Sequence, residues 1–273
     1  YNPPGAPDAW RSGKVYRINT NNDPTPANWR ISTLINQDKP LLVGSSVAPD
    51  ALGNLWVFFG TGRLWSDDDK TDSSQQRFYG IKDACWRENS ASTPCTTTYT
   101  LADLKNTSAL SACSSAGGGG IYTGTCGSGA AVYGSFNALI SDIRTNYKGW
   151  YINLSTNGTN PSEMVLAKGV LLGGALLFTS FTPDTDICKF QGDGSLYVLY
   201  YETGTAYYKP TVGTSGSGAS ETILKSRYIG EGVPTGIGVL AGEKLVGFVQ
   251  ASTGELIRIE IEGVAPPISE IKA

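Results

Sequence analysis

The chain contains no histidine among its 273 residues. Histidine is the usual general base near neutral pH and a frequent ligand of zinc, copper and haem iron. Its absence therefore excludes Ser-His-Asp and Cys-His catalysis, together with metal and haem sites that depend on an imidazole. A Cys-x-x-Cys pair is also missing, which removes the common thiol redox motif.

Long apolar runs and a strong net charge are absent as well. No stretch reaches the roughly 20 apolar residues that a membrane-spanning helix needs, and the run from Gly169 to Phe181 is typical of paired core strands. The formal net charge is −3 and no basic face is visible, so nucleic acid is not an expected partner. The chain begins at Tyr1 with neither an initiator methionine nor a signal segment, and we interpret it as a mature or shortened product.

The sequence is rich in glycine and in residues that favour strands, with 34 glycines, 14 prolines and 10% aromatic residues. A phrase of glycine, one variable residue, two large apolar residues and then continued alternation recurs in Gly13–Ile18, Gly53–Phe58, Gly194–Leu199 and Gly254–Ile259. Glycine supplies the positive φ of a tight turn, and β-branched and aromatic residues favour strands. Repetition of one turn-plus-strand unit predicts an all-β fold of the β-propeller type, either complete or completed by another chain.

This repeat organises residues 1–273 as a single propeller domain or as the C-terminal portion of such a domain. A blade takes roughly 40–45 residues, so about five blades remain once an insertion at residues 84–148 is set aside. The first segment of the insertion, Ala84 to Gly134, is rich in small polar residues and poor in apolar ones. In the remaining segment a short helix is predicted after Ser135 as N-cap, because apolar residues follow at helical spacing: Phe136, Leu139, Ile140, Ile143 and Tyr147.

Four of the five cysteines lie in the insertion. Disulfides there would constrain the unfolded chain where few apolar residues can pack. Such usage favours an oxidising location outside the cytoplasm over metal or redox chemistry. We expect the pairs Cys85–Cys95 and Cys113–Cys126, although sequence does not fix connectivity, and Cys188 is then either free or paired with another chain.

The densest acidic cluster is the run from Asp67 to Asp72, directly after a predicted strand. Calcium takes six to eight oxygen ligands, and Asp67, Asp69 and Asp72 have the start of a calcium-binding loop. The run lacks the glycine and the distal glutamate of an EF-hand, so a solvated acidic turn is the competing interpretation. No pair of carboxylates stands out as a catalytic couple for glycoside hydrolysis.

The six tryptophans are spread along the chain instead of forming a stripe. Most of them are expected to pack between blades. Trp65 and Trp86 stand beside polar loops, and we predict that these two are exposed contact residues, since an exposed indole is a common recognition group.

Several phrases in this order resemble those of the PilY/PilC family, which comprises type IV pilus tip-associated adhesins and biogenesis factors. The most specific are Phe-Gly-Thr-Gly-Arg at residues 59–63 and Phe-Tyr-Gly-Ile at residues 78–81. The likeness extends from about Trp10 to Ile261, and the phrases that carry it lie in Val15–Ile18, Trp56–Arg63, Gln75–Lys82, Gly149–Ile152, Phe178–Cys188 and Leu196–Gly204.

The resemblance implies a modified propeller at the C-terminal end of a larger secreted protein, without catalytic activity, that supports pilus assembly and surface attachment. It implies minor pilins or an upstream fragment of the same precursor as partners, and a host or abiotic surface as target. The family's propeller can carry a calcium loop, of which this chain has no clear copy. Two alternatives stay open: a quinoprotein-like dehydrogenase with a calcium-bound quinone and a carboxylate base, and a carbohydrate-binding propeller that uses Trp65 and Trp86.

Overall fold

The computed structural model describes residues 13–88, 95–156, 161–184, 186, 192–207, 209–241 and 245–261. In these ranges the chain is mostly β, with one long helix, α2 (Phe136–Asn146), and one short helix, α1 (Cys85–Glu88). The strands of the first half are β1 (Lys14–Asn19), β2 (Arg30–Asn36), β3 (Ser46–Pro49), β4 (Leu55–Gly60), β5 (Arg77–Asp83), β6 (Lys105–Asn106), β7 (Leu110–Ala112), β8 (Ile121–Thr123) and β9 (Gly149–Asn153). Those of the second half are β10 (Val170–Leu172), β11 (Ala175–Pro183), β12 (Gly192–Tyr200), β13 (Thr214–Ser215), β14 (Thr222–Ile223), β15 (Ser226–Glu231), β16 (Gly238–Ala241), β17 (Leu245–Gln250) and β18 (Leu256–Ile261).

The central sheet has five strands in the order β3-β4-β5-β9-β6. The first four are antiparallel, and β6 lies parallel to β9 at the edge. Strand β4 reads as one apolar run because both faces of this sheet are covered. Trp56 and Phe58 enter one core cluster, whereas Val57 and Phe59 enter another, as the two-residue period of a strand requires.

A four-stranded antiparallel sheet, β10-β11-β12-β15, covers one face of the central sheet. Phe78 of β5 stacks on Phe178 of β11 with ring centroids 3.8 Å apart, and Trp150 of β9 is fully buried beside them. The other face packs against Leu34 and Ile35 of β2. Stacked, buried aromatic side chains therefore hold the two sheets together.

The remaining strands form small open sheets. Strands β16-β17-β18 make a three-stranded antiparallel sheet, and β1-β2, β7-β8 and β13-β14 are two-stranded. Within the described ranges no sheet closes on itself, so the arrangement of sheets as blades around an axis stays a prediction. The described helices include none with the length and apolar character required to cross a membrane.

All four predicted glycine phrases lie on strands, namely β1, β4, β12 and β18. Their glycines differ in role. Gly53 and Gly254 have φ values of 75° and 92° and form the expected turns. Gly194 instead lies inside β12, where the register with β15 shifts. The repeated phrase thus marks strands correctly, but a turn of positive φ precedes only some of them.

The predicted helix and both predicted disulfides are confirmed. Ser135 caps α2, since its Oγ accepts a hydrogen bond from the amide of Ala138 at 3.2 Å. Cys85 is bonded to Cys95, and Cys113 is bonded to Cys126. The prediction for Cys188 lies outside the described residues.

The insertion is more ordered than its composition suggests. Leu110, Ala112 and Ile121 of β7 and β8 are buried in the main core cluster, together with the apolar face of α2. Strand β6 extends the central sheet. These strands have two or three residues each, too few for an alternating pattern to be visible in the sequence. The expectation of a segment low in core residues is therefore wrong.

Candidate functional site

Trp86 lines an open cleft of about 740 Å³ between the start of the β1–β2 connection and the end of β5. Its side chain is 59% exposed. Four consecutive polar residues, Asn19 to Asn22, also line the cleft, as do Arg17 and Asp83. We call the first group the polar wall of the cleft and the second its floor. We refer to this feature as the Trp86 cleft.

The polar wall of the cleft is a turn with an unusual backbone. Asn21 and Asn22 have φ values of 50° and 56°, a left-handed conformation that asparagine tolerates better than other side chains do. The Oδ1 atom of Asn19 accepts a hydrogen bond from the amide of Asn21 at 2.9 Å. The Asn-Asn sequence and this hydrogen bond together fix the backbone of the turn that lines the cleft.

A largely buried ion pair forms the floor. The Nε atom of Arg17 lies 2.7 Å from Oδ1 of Asp83, and the same oxygen accepts a hydrogen bond from the amide of Cys85 at 3.0 Å. Arg17 also donates through Nη2 to the carbonyl oxygen of Thr97 at 2.7 Å. Because Cys85 is bonded to Cys95, the segment that carries Trp86 is tied both to β1 and to the chain after residue 94.

A smaller cavity of about 360 Å³ adjoins the cleft, and Asp83 lines both. Three cationic side chains face this cavity: Lys82, Arg144 and Lys148. Lys82 donates through Nζ to the carbonyl oxygens of Ile143 and Arg144 at 3.0 and 2.9 Å, near the C-terminus of α2, where a cation is favoured. Burial, and then the charge of Lys148, lower the pKa of Lys82 to about 8. We refer to this feature as the cationic cavity.

Arg144 is neutralised from inside the protein. Its guanidinium makes two hydrogen bonds to the carboxylate of Glu202, at 2.6 and 2.8 Å, and Glu202 is 1% exposed. The hydroxyl of Tyr200 donates to the same carboxylate at 3.2 Å. Lys82 and Lys148 contact no carboxylate among the described residues, so the cavity keeps uncompensated positive charge.

The acidic run from Asp67 to Asp72 forms a 3-10 turn over Asp67–Thr71. Asp69 points inward, is 2% exposed, and accepts hydrogen bonds from Arg63 and from the amide of Trp65 at 2.7 Å. Burial alone would raise the pKa of Asp69, but the Trp65 amide and the Arg63 guanidinium together hold it below its ordinary value. The carboxylate of Asp69 therefore stabilises the turn through these hydrogen bonds.

The other two carboxylates of the predicted calcium site have separate partners. Asp67 lies 3.3 Å from Nζ of Lys70, and Asp72 accepts a hydrogen bond from the amide of Ser74 at 2.8 Å. Over the ranges that the structure describes, no three acidic or cysteine side chains are grouped in a way that could hold a metal ion. The structure thus does not bring Asp67, Asp69 and Asp72 together.

Trp65 and Trp86 are both exposed as predicted, at 70% and 59%, and their role as contact residues stays a prediction. Trp56 and Trp150 are fully buried, whereas Trp29 is 38% exposed and Trp10 lies outside the described residues. A packing role is therefore confirmed for Trp56 and Trp150 only. Trp65 stands beside the acidic turn and does not line the Trp86 cleft. Sequence reasoning missed the Asn19–Asn22 wall, although the run Asn-Thr-Asn-Asn between two strand-like segments is itself a turn signal.

Comparison with known proteins places the chain near one group. No family model matches it. The chain is 26% identical over 155 residues to the type IV pilus biogenesis factor PilY1 homolog of Xylella fastidiosa, and 31% identical over 152 residues to type IV pilus biogenesis factor PilY1 of Pseudomonas aeruginosa. These alignments cover 56% and 54% of this chain but only 10% and 12% of the relatives.

The fold shows the same likeness. The crystal structure of the Pseudomonas aeruginosa PilY1 C-terminal domain aligns with a TM-score of 0.56 and 18% sequence identity, over 90% of this chain and 54% of that one. The resemblance predicted from the sequence is thereby confirmed: the chain is similar to the PilY1 C-terminal domain. It spans about half of that structure and a tenth of the curated relatives.

Proposed function

We propose that the chain is a non-catalytic, pilus-associated protein that lies outside the cell and supports type IV pilus assembly and surface attachment. The observation that carries this proposal is its similarity to PilY1 in both sequence and fold. The two disulfides support an oxidising location. The partners that fit such a role are minor pilins or an upstream fragment of the same precursor, and the target is a host or abiotic surface.

The test is recovery of the native protein from cells. We expect it to co-purify with pilins from a sheared extracellular filament preparation, and its removal to lower pilus number or surface attachment. Recovery from the cytosol alone, with unchanged piliation in the deletion strain, would contradict the proposal. A chain whose four disulfide cysteines are changed to serine serves as a control for folding in the oxidising compartment.

The propeller architecture belongs to the same proposal. Support comes from the antiparallel four-stranded sheet β10-β11-β12-β15, which has the strand number of a blade, and from the neighbouring sheet β16-β17-β18. About half of the PilY1 C-terminal structure lies outside the alignment. We propose that further strands, from the same precursor or a companion chain, complete the ring. Small-angle scattering of the chain alone and with a co-purified partner would distinguish an open from a closed particle.

Catalysis is the competing hypothesis, in the form of a quinoprotein-like dehydrogenase. Such an enzyme would hold a quinone and calcium close to a carboxylate base. The buried carboxylates described above already serve structural partners: Asp69 bonds Arg63, and Glu202 bonds Arg144. A quinone absorbance in the purified protein, or dye reduction with alcohols or sugars, would favour the enzyme.

Calcium binding by Asp67, Asp69 and Asp72 stays a prediction. Calcium added to the chelator-treated chain tests it through the melting temperature. A rise in Tm that is lost in the Asp67→Asn, Asp72→Asn double variant would support a site at this turn. An unchanged Tm would contradict a calcium site at this turn.

A further inference from the structure

The geometry points to an acidic saccharide as the ligand of the Trp86 cleft, with its anionic group in the cationic cavity. The assignment of this ligand rests on the proposed function, since attachment outside the cell requires a surface ligand. It adds to that function a defined site, a chemical class and two sets of residues with separate tasks.

The cleft offers the groups that recognise a sugar. The exposed indole of Trp86 presents a flat apolar face to which the C–H face of a pyranose ring can pack. Asn19, Asn21 and Asn22 line the cleft, and an asparagine side chain has both acceptor and donor groups that match sugar hydroxyls. Oδ1 of Asn19 already accepts a hydrogen bond from the amide of Asn21, so within the described ranges Asn21 and Asn22 are the two with both groups available for a ligand. The volume of about 740 Å³ falls in the range of roughly 300–1,000 Å³ typical of small-molecule sites.

The cleft is also preorganised. Trp86 follows a buried cysteine whose disulfide fixes its short helix, and the Arg17–Asp83 pair fixes the floor. The left-handed backbone of Asn21 and Asn22 fixes the course of the polar wall. Groups that are already ordered lose little conformational entropy on binding, so a small ligand can gain useful affinity.

An anionic group on that sugar follows from the adjoining cavity. Two of the carboxylates near the cavity are each already paired with an arginine: Asp83 with Arg17 and Glu202 with Arg144. Neither therefore balances the charge of Lys82 or Lys148. Asp50 accepts hydrogen bonds from Asn54 and Trp56. Lys82 uses two of its three N–H donors on α2 carbonyl oxygens.

The side chain of Lys148 is exposed, and in the described ranges it has no partner. A carboxylate or sulfate placed between Lys82 and Lys148 would neutralise both charges and take the remaining donor. Burial and then the charge of Lys148 lower the pKa of Lys82, and an anion bound beside the two lysines would raise it again.

Two other ligands would use only a portion of this surface. A neutral saccharide would occupy the Trp86 cleft and leave the cationic cavity unused. An acidic peptide would use the cations without needing a flat apolar face and a row of amides. The acidic saccharide is the ligand class that uses both features, and the test separates the three.

The experiment titrates the full 273-residue chain by calorimetry with three acidic probes: oligogalacturonate, oligoalginate and a hyaluronan oligomer. Methyl-esterified oligogalacturonate has the same rings without the charge, and oligoglutamate has the charge without the rings. We expect at least one acidic saccharide to bind at least tenfold more tightly than either comparison compound, and its affinity to fall with added salt.

Variants assign the two tasks. Trp86→Ala is expected to lower saccharide affinity at least tenfold, whereas Trp65→Ala, at an equally exposed tryptophan outside the cleft, leaves it unchanged. Lys148→Gln is expected to weaken only the acidic probe, and Lys148→Arg to retain it. All three positions are exposed, and circular dichroism confirms that each variant is folded.

Three results would overturn the inference: no binding of any acidic saccharide, equal binding of the esterified oligomer, or equal binding of oligoglutamate. Filament pull-down with the same variants distinguishes a failure of this saccharide site from a failure of the proposed function. If Trp86→Ala still co-purifies with pili, loss of saccharide binding concerns only this site. If the wild-type chain fails to associate with pili, the proposed function fails whatever the saccharide result.

Discussion

The carboxylate of Glu202 is buried, and its charge is balanced by the guanidinium of Arg144. We expect Glu202→Gln to lower the free energy of unfolding by about 2 kcal/mol, because the buried position would lose the carboxylate that accepts two charge-assisted hydrogen bonds from the partly exposed Arg144. Urea denaturation measures this, with exposed Glu255→Gln as the matched control. Equal stability of the two variants would show that the pair contributes no net stability.

Two lysines with buried ammonium groups predict an unusual dependence of stability on pH. Burial lowers the pKa of Lys82 and of Lys225 to about 8, from an ordinary value of 10.5. Between these values the unfolded chain binds more protons than the folded chain, so the free energy of unfolding rises with pH from about 8 towards 10. Above pH 10 the raised pKa values of Tyr79 and Tyr200, both about 12, act in the opposite direction.

Urea denaturation at about pH 7, 8, 9 and 9.5 measures this rise. Lys225 donates to the carbonyl oxygens of Thr107 and Ser108 at 3.0 and 2.8 Å, so Lys225→Met is expected to lower stability overall and also to flatten the slope. Lys168→Met, at an exposed position, is the control, because it leaves both buried ammonium groups and the charge of Lys148 in place. A free energy of unfolding that falls between about pH 8 and 9.5 would contradict the expectation.

Single residues were predictable from sequence where a local pattern decides their environment. Trp65 and Trp86 stand beside polar runs, and both are exposed. The Arg17–Asp83 and Arg144–Glu202 pairs join residues that are far apart in the chain. Such pairs depend on which strands become neighbours, and nothing in the local sequence specifies that.

At the scale of elements, the Cys113–Cys126 disulfide closes a short loop whose two cysteines are both buried. We expect the double change Cys113→Ser, Cys126→Ser to lower the free energy of unfolding by about 3 kcal/mol, which is the loop-closure entropy for a separation of 13 residues. Thermal melts with and without reductant measure it. If reduction lowers the Tm of the double variant as much as that of wild type, the stabilisation lies in Cys85–Cys95 instead.

The N-terminus of α2 gives a second prediction at this scale. Ser135→Ala removes the only side-chain hydrogen bond described at that cap and is expected to cost about 1 kcal/mol. Thr145→Ala, at an exposed position near the other end of the helix, is the control and should be within a few tenths of a kcal/mol of wild type. Chemical denaturation compares them, and an unchanged Ser135→Ala variant would show that packing alone fixes the helix end.

Elements with a long periodic signal were the predictable ones. The apolar runs that form β4, β11 and β12, and the spaced residues of α2, are all visible in the sequence. Val165 and Leu166 have the apolar character of a strand, but they lie outside strands, next to the single bridge between Met164 and Phe181. Short elements such as β6 to β8 are stabilised by tertiary contacts, so their own residues give little indication of them.

For the whole molecule, burial is unevenly distributed over the sheets. Strands β4 and β11 are buried along almost their full length, whereas β1 alternates between exposed and half-buried residues. We expect hydrogen exchange of the amides in β1 and β18 to precede that in β4 and β11, because edge sheets with few buried contacts open at lower free energy. Mass spectrometry of peptic fragments measures the order, and uniform exchange would indicate one cooperative unit.

The all-β class was predictable from composition and repetition, but the arrangement of sheets was not. Sequence repetition identifies similar strands without giving their neighbours, and the five-stranded order β3-β4-β5-β9-β6 requires a return across the insertion. Pairing at such long separation is decided by loop closure and by aromatic packing around Trp150.

The parallel strand β6 determines what a deletion of the insertion would do to the fold. The insertion contributes strand β6 to the central sheet. It also contributes Leu110, Ile121 and Leu139 to the main core cluster, so it is an integral component of the fold. Deleting the insertion would expose the edge of β9 and leave a cavity in the core cluster that contains Trp150.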